Sequence, residues 1–284
     1  MYKILAKREL APQIVLMDVY APRVAASARP GQFLIVIADE KGERIPLTVC
    51  DYDKERGTVT IVIQTIGAST LRIAQLGEGD SFLDFVGPLG MPSEFLEGDF
   101  NKKFLFVAGG LGAAPVYPQV KWLAEQGIAP HVIIGAKSAD YLIFENEFRA
   151  LTPNVHIATD DGSRGFHGLV TALLEKLVAR GESFDEVIAI GPMVMMKFVA
   201  LTTKKLNIKT IVSLNTLMVD GTGMCGACRV TVGGKTRFAC VEGPEFDGHE
   251  VDFDEALRRQ AMYKTIEDRR LAKEREKHVC NIGL

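Results

Sequence analysis

The sequence predicts an antiparallel β-barrel, then a doubly wound parallel α/β domain, then a small cysteine-bearing lobe. Three observations carry that expectation. Short β-type runs separated by turn clusters fill residues 1–98, apolar strands alternate with longer helical segments over 99–217, and three of the five cysteines crowd into the lobe, 218–250. The remaining stretch, 251–284, reads as a charged helix and tail, either solvated on the surface or serving as an arm that grips a partner.

In the first region the runs are "YKILAKREL", "QIVLMDVYA", "GQFLIVIA", "RIPLTVCDYD", "GTVTIVIQTIG" and "DSFLDFVGPLG", punctuated by "ARPGQ" and "EKGER". Many short strands at close spacing are the signature of a small barrel. One helical turn fits "STLRIAQL", with Ser69 or Thr70 as its cap. After "GDFNKK" the pattern changes. The strands "KFLFVAGG", "PHVIIGAKS", "VHIATDDG", "EVIAIGP" and "KTIVSL" alternate with helical segments such as "AAPVYPQVKWLAEQG" and "LVTALLEKLVARG". Parallel neighbours need a crossover, so this alternation predicts a parallel sheet covered on both faces, with ligands at the carboxyl ends of its strands.

Composition excludes several classes. With 284 residues, 47% hydrophobic and 24% charged, the chain has the balance of an ordinary globular protein. A net charge of −3 argues against a nucleic-acid binder, which needs a basic face. No apolar run approaches the ~20 residues that span a bilayer. "MYKILAKREL" lacks the apolar centre of a signal peptide, so the cytoplasm is the expected compartment.

"FVAGGLGAAP" places Gly109, Gly110, Gly112 and Ala113 between a strand and a helix that begins near Pro115. Such a turn lets backbone amides and the positive end of a helix approach a diphosphate, although its spacing departs from G-x-G-x-x-G and a purely structural turn looks similar. Asp160 and Asp161 stand where the third parallel strand should end, and Gly191, Pro192 and Met193 follow the fourth. Paired carboxylates there accept from ribose hydroxyls and repel a 2′-phosphate, favouring NADH; the alternative is a turn and helix cap made by Asp161, Gly162 and Ser163.

Taken together, "GGLGAAP", "TDDGS" and "GPMVMM", preceded by a barrel carrying "RIPLT" and "IGAST", resemble the ferredoxin–NADP reductase superfamily over residues 1–217. The resemblance implies FAD on the barrel, a nicotinamide dinucleotide on the α/β domain, and the flavin ring between them. It places Pro46, Leu47 and Thr48 beside the flavin ring and ribityl chain, and Gly67, Ser69 and Thr70 at the helix N-terminus that takes the diphosphate. Arg44 becomes a candidate for that diphosphate, one place earlier than the family's usual arginine. Gly109, Gly110, Gly112, Ala113, Asp160, Asp161, Gly191, Pro192 and Met193 would surround NAD(H). Where many relatives have Cys-Gly-Pro, this chain has Ile190 before Gly191.

In "DGTGMCGACRV", Cys225 and Cys228 form C-x-x-C, and Cys240 follows. Alone, that pair suits a zinc site, a redox dithiol or an iron–sulfur site. Plant-type [2Fe–2S] loops read C-x4-C-x2-C with a distant fourth cysteine, and Asp220 occupies the first of those positions. The set Asp220, Cys225, Cys228 and Cys240 therefore fits a [2Fe–2S] cage with one carboxylate ligand. Cys50 reads as a packing residue near the flavin, and Cys280 has no evident partner.

With this lobe, the chain resembles the electron-transfer subunits of bacterial dihydroorotate dehydrogenases and the small subunits of NADH-dependent reduced ferredoxin:NADP oxidoreductases. Aspartate in the first ligand position is a mark of the second group. That resemblance implies electron transfer between NAD(H), FAD and the cluster, with no acid–base residue needed for hydride transfer. It also implies a partner: a larger flavin and [4Fe–4S] subunit that binds NADP(H) and ferredoxin in electron bifurcation. The dihydroorotate dehydrogenase subunit is one alternative. A zinc-stabilised, dinucleotide-sensing module without enzymatic activity is another.

Overall fold

The computed structural model describes residues 2–98 and 101–282, with side chains up to residue 276. Asp99, where the sequence places the start of the α/β domain, and the Cys280 side chain lie outside the described residues.

The N-terminal region comprises β1 (Tyr2–Ala11), β2 (Ile14–Tyr20), α1 (Pro22–Ser27), β3 (Phe33–Ile37), β4 (Ile45–Thr48), β5 (Asp51–Asp53), β6 (Thr58–Gln64), α2 (Ala68–Gln75), β7 (Ser81–Phe82) and β8 (Asp84–Leu89). They form two antiparallel sheets, β5-β6-β2-β1-β7 and β4-β3-β8. Two of the expected runs each split into a pair of strands, because the chain changes sheets within them. The Val49 amide donates to Gln32 O, near β3, at 3.1 Å, while the next amide, Cys50, donates to Thr60 O of β6 at 2.9 Å. Tyr2 pairs with Phe82 across β1 and β7, whereas the Leu83 amide donates to Ile37 O of β3 at 3.0 Å. Such corners close two sheets into one barrel around Ile4, Leu34, Ile61, Phe82 and Phe85. Helix α1 is absent from the expectations; "PRVAAS" is too short to show a period, and proline at its start with Val24 and Ala25 buried is its only mark.

The second region runs β9 (Phe104–Gly109), α3 (Ala113–Glu125), β10 (His131–Ala136), α4 (Glu145–Leu151), β11 (Val155–Thr159), β12 (Phe166–His167), α5 (Val170–Ala179), β13 (Glu186–Ile190), α6 (Met193–Lys205) and β14 (Lys209–Ser213). The lobe adds β15 (Arg229–Val232), β16 (Lys235–Phe238), α7 (Ala239–Glu242) and β17 (Glu245–Asp247), and the tail forms α8 (Phe253–Gln260) and α9 (Lys264–Ile282). The large sheet has the order β12-β11-β10-β9-β13-β14-β17. All its pairs are parallel except β14 with β17. Along β9, Phe104, Phe106 and Ala108 enter one core while Leu105 and Val107 enter the other, which explains its unbroken apolar run. Strand order reverses between β9 and β13, and this switch point positions the ligand edge.

The regions share cores. Barrel residues Ile14, Leu16 and Cys50 join α3 and β9 in one cluster, and Phe33 and Ile35 of β3 join Met218, Cys228, Ala239 and Cys240 in another. Among the described residues, no helix is long and apolar enough to cross a membrane.

Candidate functional site

At the switch point, β9 ends in Gly109 and passes through a tight turn, Gly110–Gly112, into α3. The neighbouring strand β13 ends at Ile190 and passes through Gly191 and Pro192 into α6. These two turns touch. A Cβ on Gly112 would lie 2.0 Å from Ile190 O, and one on Gly191 3.0 Å from the Gly109 Cα. Gly110, in contrast, has φ +53° with nothing within 4 Å of a Cβ, so its surface is open. Two helix N-termini, of α3 and α6, thus converge beside an open glycine backbone, an arrangement suited to an anion.

Asp160 and Asp161 follow β11, two strands from β9 on the same edge. Asp161 Oδ1 accepts from the Ser163 amide at 2.9 Å and the Ser163 hydroxyl at 2.6 Å, and these bonds hold its carboxyl below the usual range. It therefore builds a turn. It caps no helix, since α5 begins only at Val170. Asp160 is exposed at the same edge.

On the barrel, Pro46, Leu47 and Thr48 lie in β4, paired with Ile35, Leu34 and Phe33 of β3. The cap of α2 is Gly67, neither Ser69 nor Thr70. Thr70 instead reaches back, its Oγ1 accepting from the Gly67 amide at 3.0 Å. The Ser69 hydroxyl donates to Glu43, and Glu43 is paired with Arg270 of α9. Arg72 of α2 holds Glu274 of α9 through two bonds of 2.9 Å. The tail helix thus lies against α2. Arg44, expected at the diphosphate, donates from Nε to Val219 O at 2.9 Å and from Nη2 to Asp220 O at 3.1 Å.

The cysteine loop presents its candidate ligands in two sets. Cys228 and Cys240 are buried with their sulfurs 3.2 Å apart, and burial, followed by the hydrogen bond to Cys228, pushes the Cys240 thiol up to about 12. Half-buried Asp220 and exposed Cys225 form the second set. The carboxylate accepts from the Thr222 amide at 2.8 Å and the Cys225 amide at 2.9 Å, which, the Thr222 bond first, hold its carboxyl low. Backbone amides also point at sulfur: Ala227 N lies 3.5 Å from Cys225 Sγ, and Cys240 N 3.5 Å from Cys228 Sγ. Gly221, Gly223 and Gly226 all take positive φ, so the loop can wind around a compact object. Among the described residues, no three His, Cys, Asp or Glu side chains converge on the single point one ion would occupy. The paired sulfurs of Cys228 and Cys240 and the amides aimed at sulfur are donors of the kind an iron–sulfur cluster takes.

Sequence reasoning missed Glu43, Arg270 and Glu245. Glu245 of β17 is half-buried, with Oε1 accepting from Ser93 Oγ at 3.0 Å and Gln119 Nε2 at 2.8 Å, so it ties the lobe to the barrel and to α3. None of the three carries a local pattern; their partners lie 26 to 227 positions away. Cys50 is buried, as a packing residue would be, on the floor of a crevice of about 620 Å³ between the barrel and α3–α4. None of the expected cofactor residues lines that crevice.

The iron-sulfur cluster binding domain of dihydroorotate dehydrogenase B matches residues 215–252. An uncharacterized protein of Clostridium beijerinckii is 60% identical over 272 residues, 94% of this chain and 92% of that protein. A Thermotoga maritima homolog of the electron transfer subunit of dihydroorotate dehydrogenase B (NAD(+)) is 47% identical over 265 residues, covering 93% and 92%. A chain in the structure of an NADH-dependent reduced ferredoxin–NADP oxidoreductase, which bears on flavin-based electron bifurcation, aligns with a TM-score of 0.88 at 44% identity, covering 95% and 97%. Barrel, switch-point edge and cysteine lobe define a subunit of a flavin and iron–sulfur oxidoreductase. The chain belongs to the family of dihydroorotate dehydrogenase B electron-transfer subunits and their homologues. An iron–sulfur lobe leaves no place for the zinc-stabilised module.

Proposed function

We propose that this chain is the small, NADH-linked subunit of an electron-bifurcating NADH-dependent reduced ferredoxin:NADP oxidoreductase acting in the cytoplasm. One observation carries the reading: the cysteine loop packs directly on the barrel strand beside the flavin segment. Met218, Cys228 and Cys240 share a core with Phe33 and Ile35 of β3, and β3 pairs with β4. A carrier on the loop and a flavin on β4 would thus be held at short, fixed separation.

In this reading Pro46, Leu47 and Thr48 line the flavin, and the N-terminus of α2 at Gly67, Ser69 and Thr70 receives its diphosphate. Gly109, Gly110, Gly112 and Ala113 receive the diphosphate of NAD(H), Gly191, Pro192 and Met193 flank the nicotinamide, and Asp160 and Asp161 face the ribose. Asp220, Cys225, Cys228 and Cys240 hold the [2Fe–2S] cluster. FAD supplies a centre that takes a hydride and releases electrons singly, and the cluster carries them one at a time. The residues themselves position and insulate; none is asked to move a proton. The partner is a larger flavin and [4Fe–4S] subunit that binds NADP(H) and ferredoxin.

Co-purification from the native cell tests this, with the partner's mass and cofactors determined. A barrel enzyme oxidising dihydroorotate as partner would establish the second reading, favoured by the family of the lobe. The ligand set is tested by Asp220→Ala. Lower cluster content and an altered spectrum are expected, and an unchanged cluster removes Asp220 from the set.

A further inference from the structure

Arg44 ends the turn between β3 and β4, directly before the segment proposed for the flavin ring. Its guanidinium reaches 175 residues along the chain and places two donors on successive carbonyls, Val219 O at 2.9 Å and Asp220 O at 3.1 Å. A planar fork on two neighbouring peptides fixes their orientation as well as their position. Those peptides carry Asp220, whose carboxylate is held in turn by the amides of Thr222 and Cys225. Further along the loop, Arg259 of α8 donates from Nη2 to Ala227 O at 3.0 Å, so the Asp220–Cys225 limb itself is the part that Arg44 addresses. Val219, Met224 and Cys225 face solvent, and Gly221 and Gly223 between them take positive φ. Within the limb, Gly221 packs against Ile35 of β3 and Leu89 of β8, and Gly223 against Val241. The preceding residue, Glu43, accepts from Ser69 at the start of α2. Two adjacent side chains thus grasp the flavin helix on one side and the cluster loop on the other.

We propose that Arg44 is the positioning residue of the Asp220–Cys225 limb of the cluster site, coupling that limb to the flavin segment. This rests on the iron–sulfur assignment of the lobe. Lysine cannot replace the fork, because one ammonium does not orient two carbonyls. Glutamine removes the charge as well.

The test uses the full chain with Arg44→Lys and Arg44→Gln, measuring iron, acid-labile sulfide and FAD per chain, the EPR g values of the reduced cluster, and the rate of iron loss to a chelator. For Arg44→Gln we expect FAD retained, shifted g values and iron loss about tenfold faster. Arg44→Lys is expected to restore the charge without restoring the g values. Loss of FAD with an unchanged cluster would make Arg44 a diphosphate ligand and overturn the proposal. Unchanged g values and iron loss in both variants would overturn it too. Wild-type protein without a [2Fe–2S] signal would remove the assignment beneath it, an outcome distinct from both.

Discussion

The dinucleotide edge and the cluster loop place their candidate residues by opposite means. At the edge, each group follows directly on a strand of one sheet: Gly109 ends β9, Gly191 follows β13, and Asp160 follows β11. Sheet hydrogen bonding alone sets their spacing. The cluster loop between β14 and β15 has no such frame, and its shape depends on distant partners, with Arg44 gripping it from the barrel and Ile35 and Leu89 pressed on Gly221. A site built on strand ends inherits its geometry from the sheet, whereas a site built on a free loop needs clamps from elsewhere in the chain.

One substitution in both places breaks or sharpens this contrast. Gly112→Ala would put a Cβ 2.0 Å from Ile190 O, a backbone atom that cannot swing aside, so the two turns must part. We expect a loss of about 3 kcal/mol and weakened NADH binding, read by thermal unfolding and by fluorescence titration. Gly226→Ala in the loop meets only Phe238 at 3.7 Å, an ordinary contact, and is strained only by its φ of +66°. Its cost should be about 1 kcal/mol. Equal losses at the two positions would mean the loop is as tightly framed as the edge.

Glu245 tests how the lobe is joined to the rest. Burial raises its carboxyl to about 7 from an ordinary 4.5, against the lowering effect of Ser93 and Gln119 and with Glu94 and Glu186 also raising it. As pH climbs from 4.5 toward 7, the unfolded chain ionises here while the folded chain keeps its proton, so folding stability falls across that window. Above pH 7 the penalty is complete, on the order of 2–3 kcal/mol. Glu245→Gln removes the titration. Its melting temperature relative to wild type should therefore be more favourable at about pH 8 than at about pH 5. A difference that does not vary with pH would show that Glu245 is not held out of water at this junction.

These contrasts also mark what the sequence discloses. The barrel runs, five of the six parallel strands and the glycine turns were legible because each is a local pattern of period or composition, whereas the two-residue β12 is too short to show one. The spacing of Asp220, Cys225, Cys228 and Cys240 was legible for the same reason. The pairing of Glu43 with Ser69 and Arg270, the grip of Arg44 and the junction at Glu245 were not, because each is a contact between segments far apart in the chain. Arg44 shows the cost. The family resemblance suggested a diphosphate, while its neighbours in space are two carbonyls of the cluster loop. The single tail helix expected from the charge pattern became two, α8 and α9, and its docking on α2 had no local signal at all.

The smallest expected effect concerns that docking, a second clamp made by remote residues. Arg72 and Glu274 meet through two bonds of 2.9 Å, with the arginine side chain 37% exposed and the glutamate 15%. Partial exposure screens such a pair, so a double-mutant cycle with Arg72→Met and Glu274→Gln should give a coupling of only about 0.5–1 kcal/mol. That coupling should shrink toward zero at about 1 M salt, where charges are screened within about 3 Å. Persistence at high salt would mean that the two hydrogen bonds, rather than the opposite charges, carry the coupling. Disappearance would leave α9 weakly tethered beside the helix proposed to take the flavin diphosphate, a clamp of a much softer kind than the fork of Arg44 on the cluster loop.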